Sequence, residues 1–177
     1  MKALERYLES FGKFVIQQSK SNLTRKKKNV TNDLYNSLKF TVNKTPDGYS
    51  VKFYMDNYGE FVDKGVSGNK KINEYTTYDG RNIESPFKYR SKGPPVDILS
   101  KWIKMRGINP KGIKRGRSKK TGQYISGLAY LISKKIKRDG IKGISFFQRP
   151  LGLGLAKFPD DILINIKKEL LINIKNL

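Results

Sequence analysis

The sequence predicts an α+β fold, in which a small antiparallel sheet built on one β-hairpin is packed by N-terminal, middle and C-terminal helices, with a long inserted loop or arm. Three observations predict it. Apolar residues recur at three- and four-residue spacing near both ends of the chain and in two middle stretches, the stripe of amphipathic helices. Two alternating segments flank a Pro-Asp-Gly turn and supply the sheet. Between hairpin and middle helices, residues 65–95 are polar and without sustained period. With 177 residues, 37% of them hydrophobic, the chain suits a single domain over 1–177 with a modest core.

The first helix is expected over roughly residues 2–20, where Leu4, Tyr7, Leu8, Phe11, Phe14 and Val15 form one stripe. A basic break follows, Thr24-Arg25-Lys26-Lys27-Lys28-Asn29, read either as a ligand-facing loop or as a plain linker. Thr31-Asn32-Asp33 offers capping side chains, and Leu34 and Leu38 suit a short helix or turn entering a strand. Leu38, Phe40 and Val42 then alternate with polar residues, Pro46-Asp47-Gly48 turns the chain, and Tyr49, Val51, Phe53 and Met55 alternate back.

Tyr58-Gly59-Glu60-Phe61-Val62-Asp63-Lys64-Gly65 reads as an aromatic, acidic turn that opens the inserted segment. A loop of about 30 residues is unusual in a compact domain, and such loops are functional or await a partner. Tyr75, Tyr78, Phe87 and Tyr89 are too many aromatics for a pure spacer, so the segment is read as an arm or extended hairpin that docks on a neighbouring subunit, the alternative being a floppy insertion.

Gly93-Pro94-Pro95 opens a helix through about Met105, with Val96, Leu99, Trp102 and Ile103 on one side and Gly107 ending it. Lys104, Arg106, Lys111, Lys114, Arg115, Arg117, Lys119 and Lys120 follow with no acidic residue among them, interleaved with glycines. That basic loop, about 104–120, is the candidate contact for DNA or an acidic partner, or else merely solvated. Residues 124–138 read as helix on Ile125, Leu128, Ala129, Ile132 and Ile136, closed by Asp139-Gly140. Ile144 to Leu153 reads as an apolar turn region that plugs the core, and Pro159-Asp160-Asp161 as the start of a last helix carrying Ile162, Leu163, Ile166, Leu170 and Ile174.

Composition restricts the chemistry. With no cysteine and no histidine, disulfides, thiolate nucleophiles, imidazole bases and the usual zinc ligand sets are excluded. No run of about 18 apolar residues occurs and no secretory pattern opens the chain, which predicts synthesis and initial residence in a cytoplasm. The net charge is +22, from 37 Lys and Arg against 15 Asp and Glu. A surface facing polyanions accounts for it, and so does a lysine-, asparagine- and isoleucine-rich composition of A·T-biased coding.

Metal-dependent nuclease chemistry needs only carboxylates, a lysine and a cation, and its candidates are Asp47, Asp56, Glu60, Asp63 and Lys64. Glu60 and Asp63 come together only if their segment is helical. No acid-x-lysine pair stands on a second strand, and no phosphate-cradling glycine motif is present. No catalytic, cofactor or metal residue is assigned.

The order of elements carries a resemblance. The N-terminal helix, Asn32-Asp33-Leu34-Tyr35-Asn36-Ser37-Leu38, the hairpin, Tyr58 to Gly65, Phe147-Gln148-Arg149-Pro150-Leu151 and a final helix are similar to the tail-completion, or head-tail joining, proteins of tailed bacteriophages. That family shows T-G-x-L-x-x-S-I, then Y-A-x-x-V-E-x-G-T, then R-P-F-L. Here Asn32 replaces the glycine, Asp63 the glutamate, Val66 the threonine and Leu151 the phenylalanine. The match covers about residues 1–68 and 145–177, and the middle has no counterpart in short members.

The resemblance implies a small twisted antiparallel sheet packed by helices, in a non-enzymatic virion protein at the head-tail junction, present in the host cytoplasm during assembly. It implies a ring of six or twelve copies around the DNA channel, no cofactor, no membrane, and contacts to portal, adaptor or tail proteins and to double-stranded DNA. On this reading Tyr58, Gly59, Glu60, Phe61, Val62, Asp63, Gly65, Tyr75, Tyr78, Arg149 and Pro150 meet neighbouring subunits. A free basic nucleic-acid-binding protein and a metal-dependent nuclease, inactivated by Asp63→Ala, are the alternatives.

Overall fold

A computed structural model describes residues 2–45, 48–108, 115–117 and 124–158, with the side chains of 2, 3, 45, 115–117 and 124–126 left aside. The fold is α+β, with helices and small two-stranded sheets. The described residues gather into two compact units. The first takes in residues up to Gly59, Thr76–Arg81 and the chain from Ser145, and the second Glu60–Tyr75 with Asn82–Ile144.

In the first unit, helix α1 (Lys2–Arg25) continues past the expected end near residue 20. The stripe itself continues, because Phe11, Val15, Ile16, Ser19 and Leu23 are all buried. Buried Ser19 keeps its hydroxyl satisfied by donating it to the Val15 carbonyl at 2.8 Å. Helix α2 (Asp33–Ser37) follows Asn32, whose φ of 62° is left-handed. Asparagine tolerates that conformation better than most residues. Leu34 and Leu38 are buried beside it.

Strands β1 (Lys39–Thr45) and β2 (Gly48–Tyr54) form the expected hairpin. The register pairs Phe40 with Phe53 and Val42 with Val51, so apolar side chains share one face. Pro46 and Asp47 of the expected turn lie outside the described residues. Helix α1 packs on this hairpin. Phe53 stacks edge to face with Phe11 and with Phe147, at centroid distances of 6.2 and 5.3 Å.

The region expected to be an apolar turn does bury its aromatics: Phe146 has no exposure and Phe147 little. Beyond them, however, Gln148–Lys157 is a helix, α6 in chain order. Its sequence hides it, since Pro150, Gly152 and Gly154 all have poor helix propensity. Pro150 sits in the first turn, where a backbone N–H would have no intrahelical acceptor anyway. A Cβ on Gly154 would lie 2.8 Å from Phe11 Cε2, so glycine lets α6 approach α1 closely. The helix expected from Pro159 lies outside the described residues.

In the second unit, helix α3 (Gly59–Lys64), whose first residue Gly59 belongs to the first unit, runs into strand β3 (Gly65–Ser67). The segment expected to be a turn is thus helical, and Gly65 stops it by taking φ of +75° at its C-terminal end. Strands β4 (Glu74–Thr76) and β5 (Asn82–Glu84) pair with each other, which makes part of the 65–95 segment a hairpin; its tip, Thr76–Arg81, groups with the first unit.

The rest of that segment is ordered by polar contacts rather than by an apolar stripe. Ser67 N–H donates to Phe87 O and Tyr89 N–H to Ser67 O, while the Ser85 hydroxyl donates to Gly65 O at 2.7 Å. Buried Asn73 donates through Nδ2 to Val66 O and Asp139 O, at 3.0 and 2.9 Å, and its backbone N–H donates to Ser67 Oγ.

Helix α4 (Val96–Met105) starts after Pro94-Pro95 as expected. It ends in a Schellman motif: Gly107, at φ of +63°, donates to Lys104 O, and Ile108 donates to Ile103 O. Trp102 is half-buried and Ile103 is the buried member of its face. Strands β6 (Arg115–Arg117) and β7 (Tyr124–Ser126) pair antiparallel. Residues 124–126 are therefore strand, not the first turn of a helix, and helix α5 (Gly127–Asp139) begins after them. An aromatic and a β-branched residue at 124 and 125 suit the extended chain. Helix α5 packs on α4, and strand β8 (Gly140–Lys142) pairs with β3, Val66 opposite Ile141.

Candidate functional site

The expected subunit-contact residues divide by exposure. Tyr58, Glu60, Phe61, Tyr78 and Arg149 are exposed, and Val62 is half-buried. Gly59, Asp63, Gly65, Tyr75 and Pro150 are buried within the chain itself. Those five hold the fold locally and leave the first five as surface.

Helix α3 carries two of these exposed residues, Glu60 and Phe61. Gly59 begins it with its N–H on Asp56 O at 2.8 Å, and its missing Cβ leaves room for Met55 and Leu34. Glu60, in the first turn, accepts from Lys64 Nζ at 3.2 Å across one helical turn. Phe61 is 44% exposed, yet its ring is pinned edge to face on Phe87 at 4.5 Å. The result is a rigid exposed aromatic, a side chain that loses little entropy on meeting a partner.

Tyr58, in the first unit, has its phenol pKa raised above the usual 10, foremost by burial and also by the Asp56 and Asp33 carboxylates, against a hydrogen bond with the Leu34 backbone. It stays a neutral donor and acceptor at physiological pH.

The tip of the 74–84 hairpin lies on α6. Tyr78 N–H donates to Gln148 Oε1 at 3.1 Å, and the Gly152 Cα faces the Tyr78 carbonyl so closely that a Cβ would overlap it. Arg149 Nη2 donates to Thr76 Oγ1 at 3.2 Å. Asp79 is held by Arg81 Nε at 2.6 Å and by the Thr77 hydroxyl, which together lower its carboxyl pKa to about 2. The tip is thus pinned to its own chain, and Tyr78 keeps its ring 53% exposed.

The carboxylates considered for catalysis are distributed differently. Segment 59–64 is helical, the condition for bringing Glu60 and Asp63 together, but Asp63 is 1% exposed while Glu60 faces solvent and Lys64. Asp56 is half-buried, and Asp47 lies outside the described residues. Among the described residues no three His, Cys, Asp or Glu side chains gather where a metal ion could sit. No helix among them is long and apolar enough to cross a membrane.

Of the basic stretch, Lys104 and Arg106 are exposed at the end of α4. Arg115 and Arg117 belong to β6, so the stretch is not a continuous loop. Lys111, Lys114, Lys119 and Lys120 lie outside the described residues.

Sequence reasoning missed a second basic feature, a groove of about 450 Å³ along the last turns of α1, lined by Gln17, Lys20, Ser21, Thr24, Arg25 and Tyr35. The signal was present: positions 17, 20, 21, 24 and 25 fall on one helical face. It was passed over because the helix was expected to end near residue 20. Comparison of the chain with protein-family models, curated proteins and solved structures finds no match.

Proposed function

We propose that this chain is a structural protein of the neck of a tailed bacteriophage, of the tail-completion or head-tail joining type, which assembles into a ring around the DNA channel and links portal or adaptor to tail. The observation that carries the reading is backbone conformation at the motif positions. Both places where the family pattern has glycine, 32 and 65, take left-handed backbone here, with φ of 62° and +75°. A glycine in such a pattern serves that conformation, and asparagine is the residue that best replaces it.

The other matched positions also have structural roles that support the reading. Leu34 and Leu38 are buried, and Ser37 Oγ accepts from the Asp56 N–H at 3.1 Å while donating to Leu34 O. In this proposal Glu60, Phe61 and Tyr78 meet neighbouring subunits, and Lys104 with Arg106 face DNA or an acidic partner. A ring of basic subunits is relieved of its mutual repulsion by the nucleic acid it encloses. No active site is required.

The test is assembly. Phe61→Glu puts a charge at the proposed contact, whereas Tyr130→Glu does the same at an aromatic of similar exposure, 50%, on α5. Mass measured by light scattering should fall to the monomer for the first and stay multimeric for the second, with unchanged far-ultraviolet dichroism in both. Equal effects of the two substitutions, or a monomeric parent chain, would overturn the proposal.

A further inference from the structure

We propose that the groove along the C-terminal half of α1 is a binding site for a nucleic-acid phosphodiester backbone, separate from the 104–120 stretch and independent of ring assembly. Its lining of Gln17, Lys20, Ser21, Thr24, Arg25 and Tyr35 contains two cations, three neutral hydrogen-bonding side chains and one tyrosine. These are the residue types that contact phosphates and sugars in protein–nucleic acid complexes, and none is aliphatic. Tyr35 is the one aromatic of the lining, and Lys20 Nζ lies over its ring.

Among the described residues, uncharged groups orient both cations. Lys20 Nζ lies over the Tyr35 ring, 4.8 Å from its centroid. Arg25 Nη2 donates to Asn22 Oδ1 at 2.8 Å, and Asn22 is anchored in turn through Nδ2 to the carbonyl of buried Phe146. Thr24 Oγ1 donates to Lys20 O and accepts from Asn29 Nδ2 at 2.9 Å, which holds the end of the helix in place.

A ring face and an amide oxygen fix both side chains yet leave both charges available. Among the described residues neither cation has an acidic partner. Asp33 is the one acidic residue between Glu9 and Asp47 in the sequence, and its carboxylate acts on Tyr58. Exposed Lys26, Lys27 and Lys28 continue the positive field directly beyond the groove. They outweigh the partial negative charge at the helix C-terminus.

From residue 17 to residue 25 the helix rises about 12 Å, enough for two or three successive phosphates of one strand. Nothing in the lining reads base edges, so binding is independent of sequence and steeply dependent on salt.

The experiment uses the full chain and a fluorescent 30-base-pair duplex of mixed sequence, titrated at several NaCl concentrations. Lys20→Gln/Arg25→Gln removes two phosphate contacts. The salt slope should fall by about 1.8, and affinity at 0.1 M salt by roughly sixty-fold. Lys20→Arg/Arg25→Lys should keep the parent slope. Lys39→Gln/Lys52→Gln removes the same charge from exposed hairpin positions and should change the slope by less than half as much.

Thermal midpoints identify any variant that is simply less folded; for such a pair, the single substitutions Lys20→Gln and Arg25→Gln are read instead, each expected to lower the salt slope by about 0.9. If the groove and hairpin variants lose affinity alike, the groove is not a site. If polyglutamate is bound as tightly as the duplex and is lost equally on substitution, the nucleic-acid assignment fails. A monomer that binds DNA through these residues would sink the ring proposal and leave this one standing.

Discussion

Gly65→Ala is the most informative single change in the second unit, because its cost can be separated into two parts. Gly65 and Gly107 both sit just past a helix end with positive φ, +75° and +63°. Alanine in left-handed backbone costs about 1–2 kcal/mol at either place. Their surroundings differ. A Cβ at Gly107 meets nothing within 4 Å, whereas at Gly65 it overlaps Gly143 N and meets Ile141 O at 2.6 Å.

Those two atoms are backbone of, and next to, the strand that pairs with Gly65, so they cannot move aside without disturbing the β3–β8 register. Overpacking of this kind adds about 1–3 kcal/mol. The expected losses are therefore about 1–2 kcal/mol for Gly107→Ala and about 2–5 kcal/mol for Gly65→Ala. Both glycines belong to the unit that holds Trp102, the chain's single tryptophan. Urea unfolding followed by its fluorescence reads both. Equal losses would refute the argument, since they would mean that β8 does not crowd Gly65.

Three further outcomes follow from the same geometry. Phe146→Ala, at a fully buried ring, should cost about 3–5 kcal/mol in chemical denaturation, and a loss below 1 kcal/mol would contradict the core described here. The Asp79 carboxyl should titrate at about 2 by NMR and move back toward the ordinary 3.8 in Arg81→Ala. Because its folded pKa is depressed, whatever it contributes to tip order is present above pH 4 and is lost as pH falls through about 2. The Tyr58 phenol should ionise above pH 10 in a spectrophotometric titration, and an ordinary value would mean that its partial desolvation and its acidic neighbours are wrongly placed.

What the sequence revealed depended on punctuation and length. Helix α4 was legible because Pro94-Pro95 starts it and Gly107 stops it. The hairpin was legible because seven-residue strands are long enough to alternate visibly. Helix α3 was hidden: six residues barely exceed one turn, too few for a stripe, and only the left-handed Gly65 marks its end. Helix α6 was hidden by Pro150 and its glycines, whose low propensity is overridden by packing on Phe11 and Val15. Strands of three residues in the 65–95 segment carry no period at all, and their order comes from Ser67, Asn73 and Ser85 bonding to backbone, which no pattern of hydropathy records.

Exposure at the candidate positions was legible in part: Phe61 and Tyr78 are exposed, but Asp63 and Tyr75 are buried in their own chain, because a short helix turns residue 63 inward and the strand β4 turns residue 75 inward. The groove on α1 escaped because its charges were assigned to a break in the chain rather than to a helical face.

The central claim is that many copies of this chain close into a ring. Electron microscopy of the purified protein, alone and with duplex DNA, tests it most directly. Class averages with six- or twelve-fold rotational symmetry around an open channel are the predicted result; particles of monomer mass without symmetry, with or without DNA and at both low and high salt, would contradict it.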